Sequence, residues 1–136
     1  MIEVVAAGNA GLMSGLLDKM GQGGACRVRL YGGVRPAAGG APATSLISLV
    51  LLDEPAGTID VNGDLSLTPG VESAVLVGVT PTWARVSNGN EEHLFDCDAR
   101  LSTAPDANQE IVVIAPSGFY AGALLQIQSG FFSARP

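Results

Sequence analysis

The chain has 136 residues, enough for one domain to bury a hydrophobic core without disulfide or metal staples. Thirteen acidic residues stand against seven basic ones, six of them arginine with Lys19 the single lysine, and the net charge of −6 argues against a basic nucleic-acid footprint. No apolar run approaches the ~20 residues of a membrane-spanning helix, since Leu46 to Leu52 ends at Asp53-Glu54-Pro55.

Met1-Ile2-Glu3-Val4-Val5 lacks the basic and apolar regions of a signal peptide, so the expectation is synthesis in a cytoplasm. The composition, 47% hydrophobic and 15% charged, is apolar for a soluble protein and suggests that part of the surface is covered by self-association or by a larger assembly. Cytoplasmic synthesis also favours two buried free thiols at Cys26 and Cys97 over a cross-strand disulfide.

In chain order, Asn9 is placed to cap a helix running to Met20, with Leu12, Met13, Leu16, Leu17 and Met20 on one stripe and Gly21, Gly23 and Gly24 ending it. Cys26 to Tyr31 alternates as a strand, with Cys26, Val28 and Leu30 inward and Arg27, Arg29 and Tyr31 on a cationic outer face. Gly32 to Thr44 is a Gly/Pro/Ala loop. Leu46 to Leu52, apolar on both faces, reads as a central strand. Thr58 to Leu67 is a hairpin about Asn62-Gly63, a pair suited to a type I′ turn.

Glu72 to Val79 is a further strand, and Trp83 to Leu101 a second hairpin about Asn88-Gly89, with His93, Phe95, Cys97, Ala99 and Leu101 facing one way. After a loop at Pro105 to Gln109 come a strand at Glu110 to Ala115, a turn at Pro116-Ser117-Gly118 and a last strand at Leu124 to Phe132. Eight or nine strands at this spacing predict an all-β protein: an antiparallel β-sandwich, jelly-roll or immunoglobulin-like, with one short N-terminal helix. One domain is expected over residues 1–136, with 1–24 as arm and helix and 25–136 as the sandwich.

Candidate chemistry is sparse. Asp60-Val61-Asn62-Gly63-Asp64 resembles the start of a calcium loop, but Leu65 stands where that pattern needs glycine and Val71 where it needs an acid. Asp96 and Asp98 share a strand face with Arg100, and Arg85 can reach them, as on a solvated surface. His93 is the single histidine, which removes His-cluster metal sites, and Gly11 to Gly15 has the wrong spacing for a nucleophile elbow. No catalytic residue, cofactor site or metal site is expected. The candidates for interaction are Arg27, Arg29, Tyr31, Trp83, Phe119, Tyr120, Phe131 and Phe132; the two adjacent phenylalanines point to opposite sides of a strand, so one ring wants a partner outside the core.

L-M-S-G-L-L-D-K-M at Leu12 to Met20, V-R-L-Y-G-G-V-R-P at Val28 to Pro36, L-I-S-L-V-L-L-D-E-P at Leu46 to Pro55, T-P-T-W-A-R-V at Thr80 to Val86 and L-F-D-C-D-A at Leu94 to Ala99 follow one another in a familiar order. In that order the chain resembles a family of small tailed-phage and prophage proteins. Ala84 departs from it, standing where an aromatic often follows the tryptophan, and Ser102 to Gln109 replaces the family's usual polar segment.

The resemblance implies a virion structural component with a β-sandwich core and no catalytic residues. It would decorate the capsid or serve as a tail-tip or fibre adaptor, its partners being major capsid or tail proteins and further copies of itself. The competing class is a carbohydrate- or receptor-binding module using an aromatic patch and the loops Gly32 to Thr44 and Pro105 to Gln109; an enzyme ranks third.

Overall fold

The computed structural model describes residues 6–37, 39–68, 72–102, 110–116 and 118–133. The predicted loop at Pro105 to Gln109 and the N-terminal Met1 to Val5 lie outside them. Among the described residues are one helix, α1 (Ala6–Met20), and nine strands: β1 (Arg27–Tyr31), β2 (Ser48–Leu51), β3 (Gly57–Ile59), β4 (Leu65–Leu67), β5 (Ser73–Ala74), β6 (Trp83–Ser87), β7 (His93–Leu101), β8 (Ile111–Ile114) and β9 (Leu124–Phe132). The helix is not long and apolar enough to cross a membrane.

The predicted class, mostly β with one short helix, is what the chain forms, but the predicted stack of antiparallel sheets is not its arrangement. The strands make one mixed sheet in the order β2-β1-β6-β7-β8-β9-β4-β3, with β5 on β9, curled into a half-barrel. One pair, β7 with β8, is parallel, with Ala99 opposite Ile111 and Leu101 opposite Val113. Residue alternation specifies which face each strand buries but not the direction of its neighbour, so the antiparallel expectation fails here.

Alternation builds the concave face. Val28 lies between Val50 and Val86, Leu30 opposite Ala84, Ala84 opposite Cys97, Ala99 opposite Ile111, Val113 opposite Ile127 and Leu65 opposite Phe132. These side chains, all buried, form one core with Met13 and Met20 of the helix. Each fully buried aliphatic side chain contributes about 1.5–3 kcal/mol relative to exposure. The segment expected as a central strand is instead at one end of the sheet order, and Leu51 of β2 is exposed on its outer face.

The β3–β4 and β6–β7 connections are the same five-residue loop twice. Asp60 Oδ1 accepts the amides of Asn62 and Asp64, Gly63 N–H donates to Asp60 O, and Asp60 N–H donates to Asp64 O, at 2.8–3.0 Å. Asn88 repeats each bond, to Asn90, Glu92, Glu91 and Glu92 in turn. The side-chain oxygen of the first residue organises the loop and the fourth residue takes the left-handed conformation. That residue is Gly63 (φ 80°) in the first loop and Glu91 (φ 62°) in the second. Neither Asn-Gly pair therefore makes the predicted two-residue type I′ turn, because the side-chain acceptors at Asp60 and Asn88 favour a wider loop.

The twin loops hold the two ends of α1. Asn9 is not the helix cap: it lies inside the helix, fully buried, and its Nδ2 donates to Asn62 O (3.1 Å) and Asp64 Oδ1 (2.6 Å) in the first loop. At the other end, Asn88 Nδ2 donates to Lys19 O and Gly89 N–H to Gln22 O, while Lys19 pairs with Glu92. Gly89 lies so close to the helix exit that a Cβ there would stand 2.1 Å from Gly23 O. The helix thus reaches from the β3–β4 hairpin to the β6–β7 hairpin and lays Met13 and Met20 onto the core.

Candidate interaction surfaces

The convex face of β1, β6 and β7 carries most of the charge that the sequence places on these strands. Register sets Arg29 opposite Arg85 and Tyr31 opposite Trp83, then Arg85 opposite Asp96 and Trp83 opposite Asp98. Glu91 accepts from both Arg27 and Arg29, the latter at 2.8 Å, so one carboxylate bridges two guanidiniums. Partial desolvation raises the Glu91 pKa, but the Arg29 and Arg27 charges win and hold it below its ordinary value.

Arg85 is the centre of this face. Its Nε and Nη2 donate to the two oxygens of Asp96 at 2.8 and 3.1 Å, and Nη2 also donates to Gly40 O at 2.6 Å, tying the Gly/Pro/Ala loop over the sheet. Its guanidinium stands 5.4 Å from the Trp83 ring, in cation–π range. The hydrogen bond to Asp96 pushes the Arg85 pKa up. Asp96 is desolvated, which alone would raise its pKa; hydrogen bonds from Arg85 and His93, whose Nε2 lies 2.9 Å away, bring it below the ordinary carboxylate value.

Tyr31 and Trp83 stack at 4.7 Å and 20°, and Trp83 Nε1–H donates to Gly32 O. Trp83 is only 1% exposed, so its ring is a floor for the overlying loop and offers no open face to a sugar. The remaining aromatic candidates lie elsewhere. Phe132 is buried edge-on to Phe95 at 5.1 Å, and Phe131 is half-buried. Phe119 lines a cleft of about 350 Å³ with Leu101, Ile114 and Pro116, and Tyr120 beside it is 55% exposed. The structure therefore gathers Arg27, Arg29, Tyr31 and Trp83 on one face and separates Phe119, Tyr120, Phe131 and Phe132 from them. Among the described residues, no group of three or more His, Cys, Asp or Glu side chains is placed to hold a metal ion.

A second surface escaped the sequence reading. Ala74 pairs with Leu124, Val75 exchanges backbone bonds with Gly122 and Ala123, and Gly78 lies against Tyr120. This places Leu76 (58% exposed), Tyr120 and Leu124 (50% exposed) at the β5–β9 end. The signal that could have found it is the absence of charge: residues 36–52, 73–84 and 111–133 contain no Asp, Glu, Lys or Arg.

The fold is thus that of a β-rich protein whose single curled sheet is bridged by one helix. Set against known proteins, the chain matches no family model, no curated protein and no solved structure.

Proposed function

We propose that the chain is a non-enzymatic structural protein of a tailed-phage particle, made in the host cytoplasm and incorporated into the virion as a capsid decoration protein or a tail-tip or fibre adaptor. The observation that carries this reading is the presence of a charge-free, apolar β5–β9 end on a fold whose charge is ion-paired on the convex face of β1, β6 and β7. An apolar end without charge suits burial against other virion proteins, and a repeating lattice would convert weak single contacts into avid binding. The order of motifs shared with small tailed-phage proteins supports the same reading.

The test is mass spectrometry of purified particles, with heads and tails separated and copies of this chain counted, alongside particles carrying Leu124→Asp. Many copies on heads would make it a decoration protein and a few on tails an adaptor; in either case Leu124→Asp lowers incorporation while the isolated variant stays folded. Absence from both fractions, with glycan or receptor binding that Tyr120→Ala abolishes, would replace this reading with that of a recognition module.

A further inference from the structure

The chain contains two Asn-Gly pairs, Asn62-Gly63 and Asn88-Gly89, in the twin loops, and the fold puts them in opposite chemical circumstances. In such a pair the glycine amide nitrogen can attack the preceding carboxamide carbon, since glycine has no side chain to obstruct the approach and is free in φ and ψ. Whether it does so depends on how tightly the fold holds the carboxamide and the backbone beside it.

Asn88 is locked. It is fully buried, its Oδ1 accepts the Asn90 and Glu92 amides at 3.0 Å, and its Nδ2 donates to Lys19 O (3.3 Å) and Glu92 Oε1 (3.0 Å). Gly89 N–H is engaged by Gln22 O at 2.9 Å, and its backbone is wedged against Gly23. Attack there requires the helix exit to lift from the sheet.

Asn62 occupies the third position of its loop, where the organising side chain is that of Asp60. Its carboxamide is exposed and has no hydrogen-bond partner among the described residues, and its neighbour Val61 is 94% exposed. Gly63 lies below the surface, so attack awaits an opening of the loop apex, which breaks the one bond from Gly63 N–H to Asp60 O. Loop apices open at far lower cost than buried core segments.

We propose that Asn62 is a site of spontaneous deamidation and that Asn88 is protected from it. Gly63 N attacks Asn62 Cγ and forms a C–N bond; the carboxamide nitrogen leaves as ammonia, taking the Gly63 amide proton. Water then opens the cyclic imide at either carbonyl, giving aspartate or isoaspartate, with no change of oxidation state. The site is coupled to the helix, because Asn62 O is one of the two acceptors of Asn9 Nδ2. In the isoaspartyl product the main chain runs through Cβ and Cγ, so the Asn62 carbonyl that accepts from Asn9 leaves the backbone as a free α-carboxylate and the loop lengthens by one carbon. Either product adds a negative charge beside Asp60 and Asp64, so modification loosens the first half of α1. This inference is independent of the virion reading.

The purified full-length chain is aged at mildly alkaline pH, folded and in denaturant, and its peptides are mapped by mass spectrometry that distinguishes isoaspartate. In the folded protein Asn62 converts at least about tenfold faster than Asn88, while in denaturant the two convert at similar rates. Equal rates in the folded protein, Asn88 leading, or Asn62 converting no faster than Asn90 would overturn the assignment. Hydrogen exchange on the aged protein reads the coupling: faster exchange in the first half of α1 is expected, and unchanged exchange there would refute the link to the helix.

Discussion

Ser48 Oγ and Ser73 Oγ lie 2.7 Å apart, joining β2 to β5 although β2 is at one end of the sheet order and β5 hangs from β9 near the other. Ser48 also donates to Ala74 O, Ser73 to Leu49 O, and Leu76 N–H to Ile47 O. Two hydroxyl protons serve three contacts, so the direct Ser–Ser bond alternates with the bonds to backbone. This seam draws the curled sheet together beside the apolar end that carries Leu76 and Leu124.

The seam makes a specific energetic demand. Ser48→Ala and Ser73→Ala each lose about 1 kcal/mol of stability, and the double variant loses measurably less than their sum, because each single change already breaks the shared bond. Denaturant unfolding of the four proteins gives the coupling. In Ser73→Ala the Leu76 amide also exchanges faster, since its acceptor, Ile47 O, immediately precedes the strand that the seam holds in place. Strict additivity with unchanged Leu76 exchange would show that β2 and β5 are held by packing alone.

Glu91 occupies a left-handed backbone conformation, φ 62°, that its twin Gly63 adopts freely. Its side chain spans Arg27 and Arg29, so the position exchanges backbone strain for an ion-pair bridge. Glu91→Ala loses the bridge and keeps the strain, whereas Glu91→Gly loses both. The glycine variant is therefore more stable than the alanine variant by about 1 kcal/mol, the usual cost of the left-handed region for a residue with a Cβ. Thermal or denaturant melts of the two variants decide it; an alanine variant equal to or better than glycine would mean that the loop relaxes out of this conformation.

The parts of the fold visible in the sequence are those set by local periodicity. The inward residues Val28 and Leu30 of β1 and Cys97 and Ala99 of β7, the burial of Met13 and Met20 on the helix, both hairpins and the free state of the two cysteines follow from alternation, turn chemistry and burial. Leu12 of the expected helix stripe is instead 55% exposed, and His93, expected on the inward face of β7, turns to Asp96 on the convex one after the register shift at Val86/Ser87. What local pattern does not encode is which strands meet: nothing near Leu101 or Ile111 marks the β7–β8 pair as parallel. Asn9 reads as a cap by residue type, yet its partners are Asn62 and Asp64, more than fifty positions away. Leu76 and Leu124 look like core residues because an apolar residue reads the same whether its face meets the core or solvent. The convex charged face was legible in Arg27, Arg29, Asp96 and Asp98, while the bridging role of Glu91 depends on a loop conformation that its residue type disfavours.

The Arg85–Asp96 pair predicts an acid dependence of stability. Asp96 is nearly buried, at 5% side-chain exposure, and its folded pKa lies below the ordinary carboxylate value because Arg85 and His93 outweigh its desolvation. A carboxyl depressed on folding adds stability that is fully present above its unfolded pKa and is lost as pH falls through the folded one. At neutral pH Asp96→Asn is destabilised by about 2 kcal/mol, since Arg85 keeps its charge and loses a bidentate acceptor. Urea midpoints measured over a range of pH show wild type and variant converging in acid, below the ordinary carboxylate range. A gap of constant size down to the acid transition would mean that Asp96 contributes by shape rather than by charge.

The two thiols report on whether the helix and sheet unfold together. Burial pushes the Cys26 pKa up to about 11 against a weaker opposing hydrogen bond from the Arg27 backbone, and Cys26 Sγ donates to Ser87 O at 3.3 Å. Burial is also the main cause that raises the Cys97 thiol, with the Glu110 charge adding to it. Because the thiolate is the reactive species, neither group reacts with a thiol reagent at neutral pH until the core opens. Both cysteines belong to the same core as Met13 and Met20. Cys26 and Cys97 are therefore labelled at the same rate, and the free energy obtained from that rate equals the global unfolding free energy in each concentration of denaturant. Mass spectrometry of the labelled peptides separates the two sites. Earlier labelling of Cys26, which sits just past the helix exit, would show that α1 and its glycine turn lift from the sheet as a separate unit, and the shared core that Met13 and Met20 join would then not be what holds the helix down.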